Sequence, residues 1–129
     1  MLLPITAIYA ALLGVFLVIL LFPVIKLRNS LRVGLGDGGK SELQQAMRAH
    51  GNAVECIPIF LVLLAIFELN RGPSWALHIF GVSYLLARLA HAAGLYASSG
   101  ASKGRVGGMI GTITVVLLLA IANVLQVFR

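Results

Sequence analysis

The chain is poor in charge, and above all in negative charge. Only 11% of its 129 residues are Asp, Glu, Lys or Arg, and four of these are acidic. A soluble domain carries roughly 25% charged residues, so an ordinary soluble domain does not fit. The chain has one cysteine, Cys56. An intrachain disulfide is therefore impossible, and Cys56 reads as a small buried hydrophobe. Its place in an apolar run argues against a Cys–His nucleophilic pair. His50, His78 and His91 lack the spacing of metal ligands and have no Cys or carboxylate cluster beside them, so no metal is expected.

Apolar residues fill the gap. They make up 60% of the chain, and mean hydropathy is +1.00. A chain this short has too little volume to hide so much apolar surface from water. The expected solvent is the lipid bilayer, and the expected organisation is a single domain over residues 1–129. Formal net charge is +6. The basic residues stand in short loops and at span ends rather than on one solvated face. Membrane topology and an anionic ligand explain that better than nucleic acid.

A bilayer core of about 30 Å needs roughly 20 apolar residues in a helix. Met1–Ile25 holds no charged side chain, no basic leader and no small-residue cleavage pattern, so it reads as a first span rather than a cleaved signal peptide. Val106–Phe128 is equally free of charge. The inner two spans are less clean. Cys56–Phe67 is too short to cross alone and must reach back through Glu55, Asn52, His50 and Arg48. A third span over Ser74–Ala97 must accept His78, Arg88 and His91. The fold class is therefore all-α, an integral membrane four-helix bundle.

Asn70–Pro73 and Ser98–Gly104 read as short turns, and Arg28–Ser41 as the longest connection. Gly34, Gly36 and Gly39 spell GxGxxG, but no strand precedes them and no βαβ unit fits, so they mark a flexible loop. Ser41 before Glu42 looks like the N-cap of the second helix. Lys26, Arg28, Arg32 and Lys40 load the first loop, and Lys103 and Arg105 the third; the second has only Arg71. The positive-inside rule then puts both termini on the non-cytoplasmic side, with Arg129 weakly opposing. The pairs Gly104/Gly108 and Gly107/Gly111 have GxxxG spacing, which permits close helix approach. Pro58 removes a backbone donor and should disturb the second helix one turn from Glu55.

Arg48, Asn52 and Glu55 are spaced i, i+4, i+7, a stripe of about 60° on one helix. His50 falls on nearly the opposite side. Tyr84, Arg88 and His91 repeat the spacing on the third span. Intramembrane ionisable groups need partners or a wet cavity. Arg48–Glu55 or Arg88–Glu55 pairing and snorkelling of span-end cations are the plain structural readings. One acid cannot neutralise so many cations, however. Two stripes with Lys26, Arg28 and Arg105 nearby would suit a small anion that also bears an ammonium group.

The segment from Arg48 to Phe60, RAHGNAVECIPIF, resembles the second-helix signature of the MAPEG family, the membrane-associated proteins in eicosanoid and glutathione metabolism. Arg48, His50, Asn52, Glu55 and Pro58 fill that signature in register. The run Ala87–His91 is similar to the corresponding stretch of the prostaglandin E synthase branch. The stretch GDGGKSELQQAMRAHGNAVE looks like small bacterial inner-membrane members. The resemblance covers essentially the whole chain and implies a homotrimer in that membrane. It implies glutathione as co-substrate between subunits, with Arg28, Arg48, His50, Asn52, Glu55, Tyr84, Arg88 and His91 as binding residues. It also implies Arg105 as the catalytic group that stabilises the thiolate, and an apolar electrophile supplied from the lipid. Two positions depart from the pattern. Cys56 stands where many members have Tyr, and Tyr96 is one place beyond the expected tyrosine, where Leu95 stands.

The implied activity is a glutathione-dependent transferase or peroxidase. A non-catalytic MAPEG-like binding or scaffold protein is the alternative, since the family includes such members. A small proton-coupled multidrug exporter is a further one, although exporters of that size place their essential carboxylate in the first span, which here has none.

Overall fold

The structure is a computed structural model and describes residues 2–97 and 100–128. Ser98 and Ser99 of the third loop, Met1 and Arg129 lie outside the described residues. The chain forms α1 (Pro4–Leu31), α2 (Ser41–Leu69), α3 (Ser74–Ala97) and α4 (Lys103–Gln126). All are long and apolar enough to cross a membrane, so the molecule is a four-helix membrane bundle. The most extensive pairings are α3 with α4 and α1 with α2; α2 also touches α3 and α4, whereas α1 and α4 do not meet. Helix α1 also meets α3, so α2 and α3 together join the two halves.

Several boundaries differ from those read in the sequence. Helix α1 continues past Ile25 to Leu31, so Lys26 and Arg28 are helical and the connection shrinks to 32–40. Packing explains the extension. Val24 buries against Leu43 and Ala46 of the first turns of α2, with Leu27, Leu31 and Met47 around them. A basic side chain in the last turn of α1 also suits the negative end of the helix dipole. Ser41 is the first residue inside α2, not its cap; Lys40 holds the cap position without a side-chain bond. The reason lies in the turn before it. Asp37 accepts from the backbone of Gly39 through its side chain (2.9 Å) and of Lys40 through its carbonyl (3.0 Å), while Gly38 and Gly39 take φ of 58° and 70°. That turn delivers an extended Lys40 straight into the helix. Helix α2 is continuous through Pro58, and α1 through Pro23.

The core fills the space between α1, α2 and α3 and reaches α4 through Leu119 and Val115. At its centre Phe60 stacks on Tyr84, ring centroids 3.8 Å apart and planes 3° from parallel. Cys56 is half-buried and free. Helices α3 and α4 come close because glycine faces backbone. A Cβ on Gly108 would lie 2.4 Å from the His91 amide nitrogen, and one on Gly94 would lie 2.1 Å from that of Arg105. Of the two GxxxG pairs, Gly104 and Gly108 make this approach, whereas Gly107 faces open space.

At the opposite end of the bundle Glu68 closes α1. Leu3, the N-cap residue, has no side-chain acceptor. The Glu68 carboxylate, 63 and 62 residues away, accepts from the amides of Ile5 (2.9 Å) and Thr6 (2.7 Å). A carboxylate at a helix N-terminus satisfies orphan donors and opposes the positive end of the dipole. Glu68→Ala is expected to destabilise the bundle by about 1–2 kcal/mol, the usual range for a lost cap. Glu68→Gln, which keeps one acceptor, should lose less. Thermal unfolding in detergent measures both, and equal midpoints for Ala, Gln and wild type would remove the capping role.

Candidate functional site

Where α2 begins and α3 ends, the bundle opens into a cavity of about 380 Å³. Its polar lining is Arg48 and Asn52 from α2, His91 from α3 and Arg105 from α4; Leu95, Val106, Met109 and Ile110 form its apolar side. Helical spacing explains the set. Arg48 and Asn52 are one turn apart, as are His91 and Leu95, and Arg105 and Met109. Among the described residues no carboxylate lines the cavity. Two guanidiniums therefore face it without an internal acid, and the cavity suits an anion.

His91 and Arg105 are tied into the bundle by hydrogen bonds. His91 is 3% exposed and its Nδ1 lies 2.8 Å from the Arg105 carbonyl oxygen. The start of α4 is tied to α3 by Ser102, which accepts from the Arg105 amide (3.2 Å) and donates to the Gly94 carbonyl (2.8 Å). The Arg105 guanidinium donates to the Gly100 carbonyl at 3.4 Å. Gln45 of α2 donates to the Leu95 carbonyl and joins α2 to α3 beside the cavity.

Arg88 plays a different part from the ligand contact expected of it. It is fully buried and does not line the cavity. Its guanidinium donates to Asn52 Oδ1 at 2.7 Å and to Thr112 Oγ1 at 3.5 Å, so its partners are neutral groups on α2 and α4 rather than Glu55. Thr112 in turn donates to the Gly108 carbonyl (2.8 Å). The bond to Arg88 also orients Asn52. A guanidinium only donates, so the amide oxygen must face it, and Asn52 Nδ2 is left as the donor at the cavity wall.

The remaining expected residues stand elsewhere in this single chain. Arg28 is spent on its own loop: it donates to the carbonyls of Val33 (3.2 Å), Gly34 (3.1 Å) and Gly36 (3.1 Å) and reaches Met47 Sδ at 3.4 Å. Tyr84 is enclosed in the core against Phe60. His50 is half-buried and Glu55 exposed, and neither lines the cavity. Glu55 does continue the face of Arg48 and Asn52, but one turn farther along α2. Thr112, Met109 and Ile110 were not singled out in the sequence. The helical repeat from Gly108 to Thr112 and from Arg105 to Met109 was the available signal. Among the described residues no three His, Cys, Asp or Glu side chains gather to hold a metal ion.

The Asn52 geometry has a direct test. Asn52→Asp keeps an oxygen for Arg88 and adds an ion pair, but loses the Nδ2 donor. It is expected to fold at least as stably as wild type while binding of an anionic ligand weakens about 10-fold, the scale of one lost hydrogen bond to a charged group. Arg88→Met, which frees Asn52 Oδ1, should weaken the same ligand without touching it. Isothermal titration with wild-type-like affinity for both variants would contradict this geometry.

A family profile, that of the MAPEG family, matches residues 6–125. The chain is 43% identical over 119 residues to the inner membrane protein YecN of Escherichia coli strain K12, an alignment that covers 92% of this chain and 89% of that protein. Its match to the inner membrane protein YecN of Escherichia coli O6:H1 has the same identity and coverage. The chain belongs to the MAPEG family.

Proposed function

We propose that the protein is a glutathione-dependent membrane transferase or peroxidase that acts on apolar electrophiles. The observation that carries this reading is the cavity itself: Arg48 and Arg105 face it with no carboxylate, and Leu95, Val106, Met109 and Ile110 form an apolar wall beside them. Glutathione brings two carboxylates, an ammonium and a thiol. Guanidinium forks bind carboxylates in bidentate fashion. Asn52 Nδ2 donates to a carbonyl or carboxylate oxygen. Arg105 stands beside the thiol and favours its thiolate, the nucleophilic form. The electrophile partitions from the bilayer against the apolar wall.

The working unit in this reading is a homotrimer in the inner membrane, with both termini on the non-cytoplasmic side. Arg48 and Glu55 are exposed on one face of α2, and an unpaired carboxylate on the flank of a membrane span is unfavourable in lipid. A second copy laid on that face would enclose both groups and bring Glu55 to the ammonium of the peptide. Arg28 and His50 would reach the ligand only across such an interface.

Arg105→Ala is expected to keep glutathione affinity within a few-fold and to lower conjugation of an apolar electrophile on the order of 100-fold, as for loss of a group that stabilises developing negative charge. Arg48→Ala should instead weaken binding. Titration calorimetry and a chlorodinitrobenzene conjugation assay in detergent read both. Absence of glutathione binding at millimolar concentration overturns the proposal. Binding without turnover towards any electrophile would point to a binding protein instead.

A further inference from the structure

His91 is unlike the other polar residues of the cavity, because one bond determines the state of its ring. Nδ1 lies 2.8 Å from the backbone carbonyl of Arg105. A carbonyl oxygen can only accept, so Nδ1 carries a proton. The neutral ring has a single proton, and its other nitrogen, Nε2, is then a bare lone pair. Nε2 has no partner among the described residues, and the ring borders the cavity. The ring is also rigidly placed. The His91 backbone lies against Gly108, where even a Cβ would come within 2.4 Å, and the bonded carbonyl belongs to the fixed first turn of α4. The charged groups around the cavity are Arg48 from α2 and Arg105 from α4, with Arg88 one turn back on α3. Among the described residues no lining carboxylate competes for the imidazole or its proton.

A proton acceptor and a guanidinium lining one cavity with an apolar wall are the two parts needed to turn a thiol into a nucleophile. We propose that His91 is a catalytic base, with Nε2 accepting the proton of the thiol bound beside Arg105. This rests on the glutathione reading above and assigns His91 a chemical step rather than a binding contact. In that step the S–H bond breaks, an Nε2–H bond forms, and the electron pair stays on sulfur, where the Arg105 guanidinium faces it. When the thiolate adds to an electrophilic double bond, the carbanion or enolate formed takes the proton back from Nε2, and the imidazole returns to its starting state. The bond from Nδ1–H to the Arg105 carbonyl persists throughout, and it links the base to the residue that holds the anion.

Two measurements test the assignment on the full-length protein in detergent. First, nitrogen-15 spectra of histidine-labelled wild type, with and without glutathione, report which ring nitrogen is protonated. The ligand-free ring is expected as the Nδ1–H tautomer, and glutathione should add a proton at Nε2. An Nε2–H tautomer in the free protein, or no change at Nε2 while the thiolate absorbance of bound glutathione develops, overturns the role. Second, His91→Asn keeps an amide N–H within reach of the Arg105 carbonyl but has no acceptor where Nε2 stood. Glutathione affinity should stay within about 3-fold, while conjugation near neutral pH falls on the order of 100-fold and the pH–rate profile becomes steeper in hydroxide. Unchanged rate and profile in H91N also overturn the role. Wild-type protein that binds no glutathione overturns the functional reading beneath it, whereas binding with an unaltered H91N profile overturns the base alone.

Discussion

A guanidinium sealed inside a membrane bundle sets the terms for its neighbours. Arg88 has no exposed surface, and its partners are the Asn52 oxygen on α2 and the Thr112 hydroxyl on α4. Placing an arginine in the middle of a span costs about 2.5–3.5 kcal/mol on insertion scales. Acceptors for its two terminal nitrogens offset that cost, and Asn52 and Thr112 supply them only because α2, α3 and α4 converge at this level, while Nε has no partner among the described residues. The convergence has a functional by-product. An Asn52 amide whose oxygen is occupied can offer only its N–H₂ to the cavity. A charge that never meets the cavity thus decides which polarity its wall presents.

Close approach of α3 and α4 is the second constraint, and it depends on the absence of side chains. Gly94 and Gly108 let backbone meet backbone, which brings the His91 ring within hydrogen-bond reach of the Arg105 carbonyl. The same contact brings Arg105 to the cavity that His91 also lines. At the far end the bundle is held by polar bonds of another kind: Glu68 closes α1, and Asn123 of α4 donates to the carbonyls of Leu63 (3.0 Å) and Leu119 (2.9 Å). Thus polar ties at both ends bracket an apolar middle in which Phe60, Tyr84 and the leucines pack.

Much of the architecture was legible from hydropathy, because a helix that crosses lipid must be apolar along its length. The helix ends were less so. Whether Lys26 and Arg28 belong to a loop or a helix depends on Leu43 and Ala46 arriving from α2 to cover Val24. Asp37 and its glycine turn, rather than Ser41, determine how α2 starts. Periodicity did place Arg48 and Asn52 on one face, and His50 off it. It also grouped Tyr84, Arg88 and His91, but it could not say how deep each would lie. The structure separates them: Tyr84 into the core, Arg88 behind Asn52, and only His91 at the cavity.

By itself, then, the sequence determined what repeats along a single helix: four spans, two polar stripes, small residues at the head of α4, and a membership legible in RAHGNAVECIPIF. Tertiary structure alone decided the partners. That Glu68 caps a helix 62 residues away, that Arg28 is consumed by its own loop, and that Nδ1 of His91 meets the Arg105 carbonyl all depend on where other helices pass. The physical reason is range. Helical periodicity orders residues three or four apart, whereas a hydrogen bond between helices is set by their packing, which no local spacing encodes.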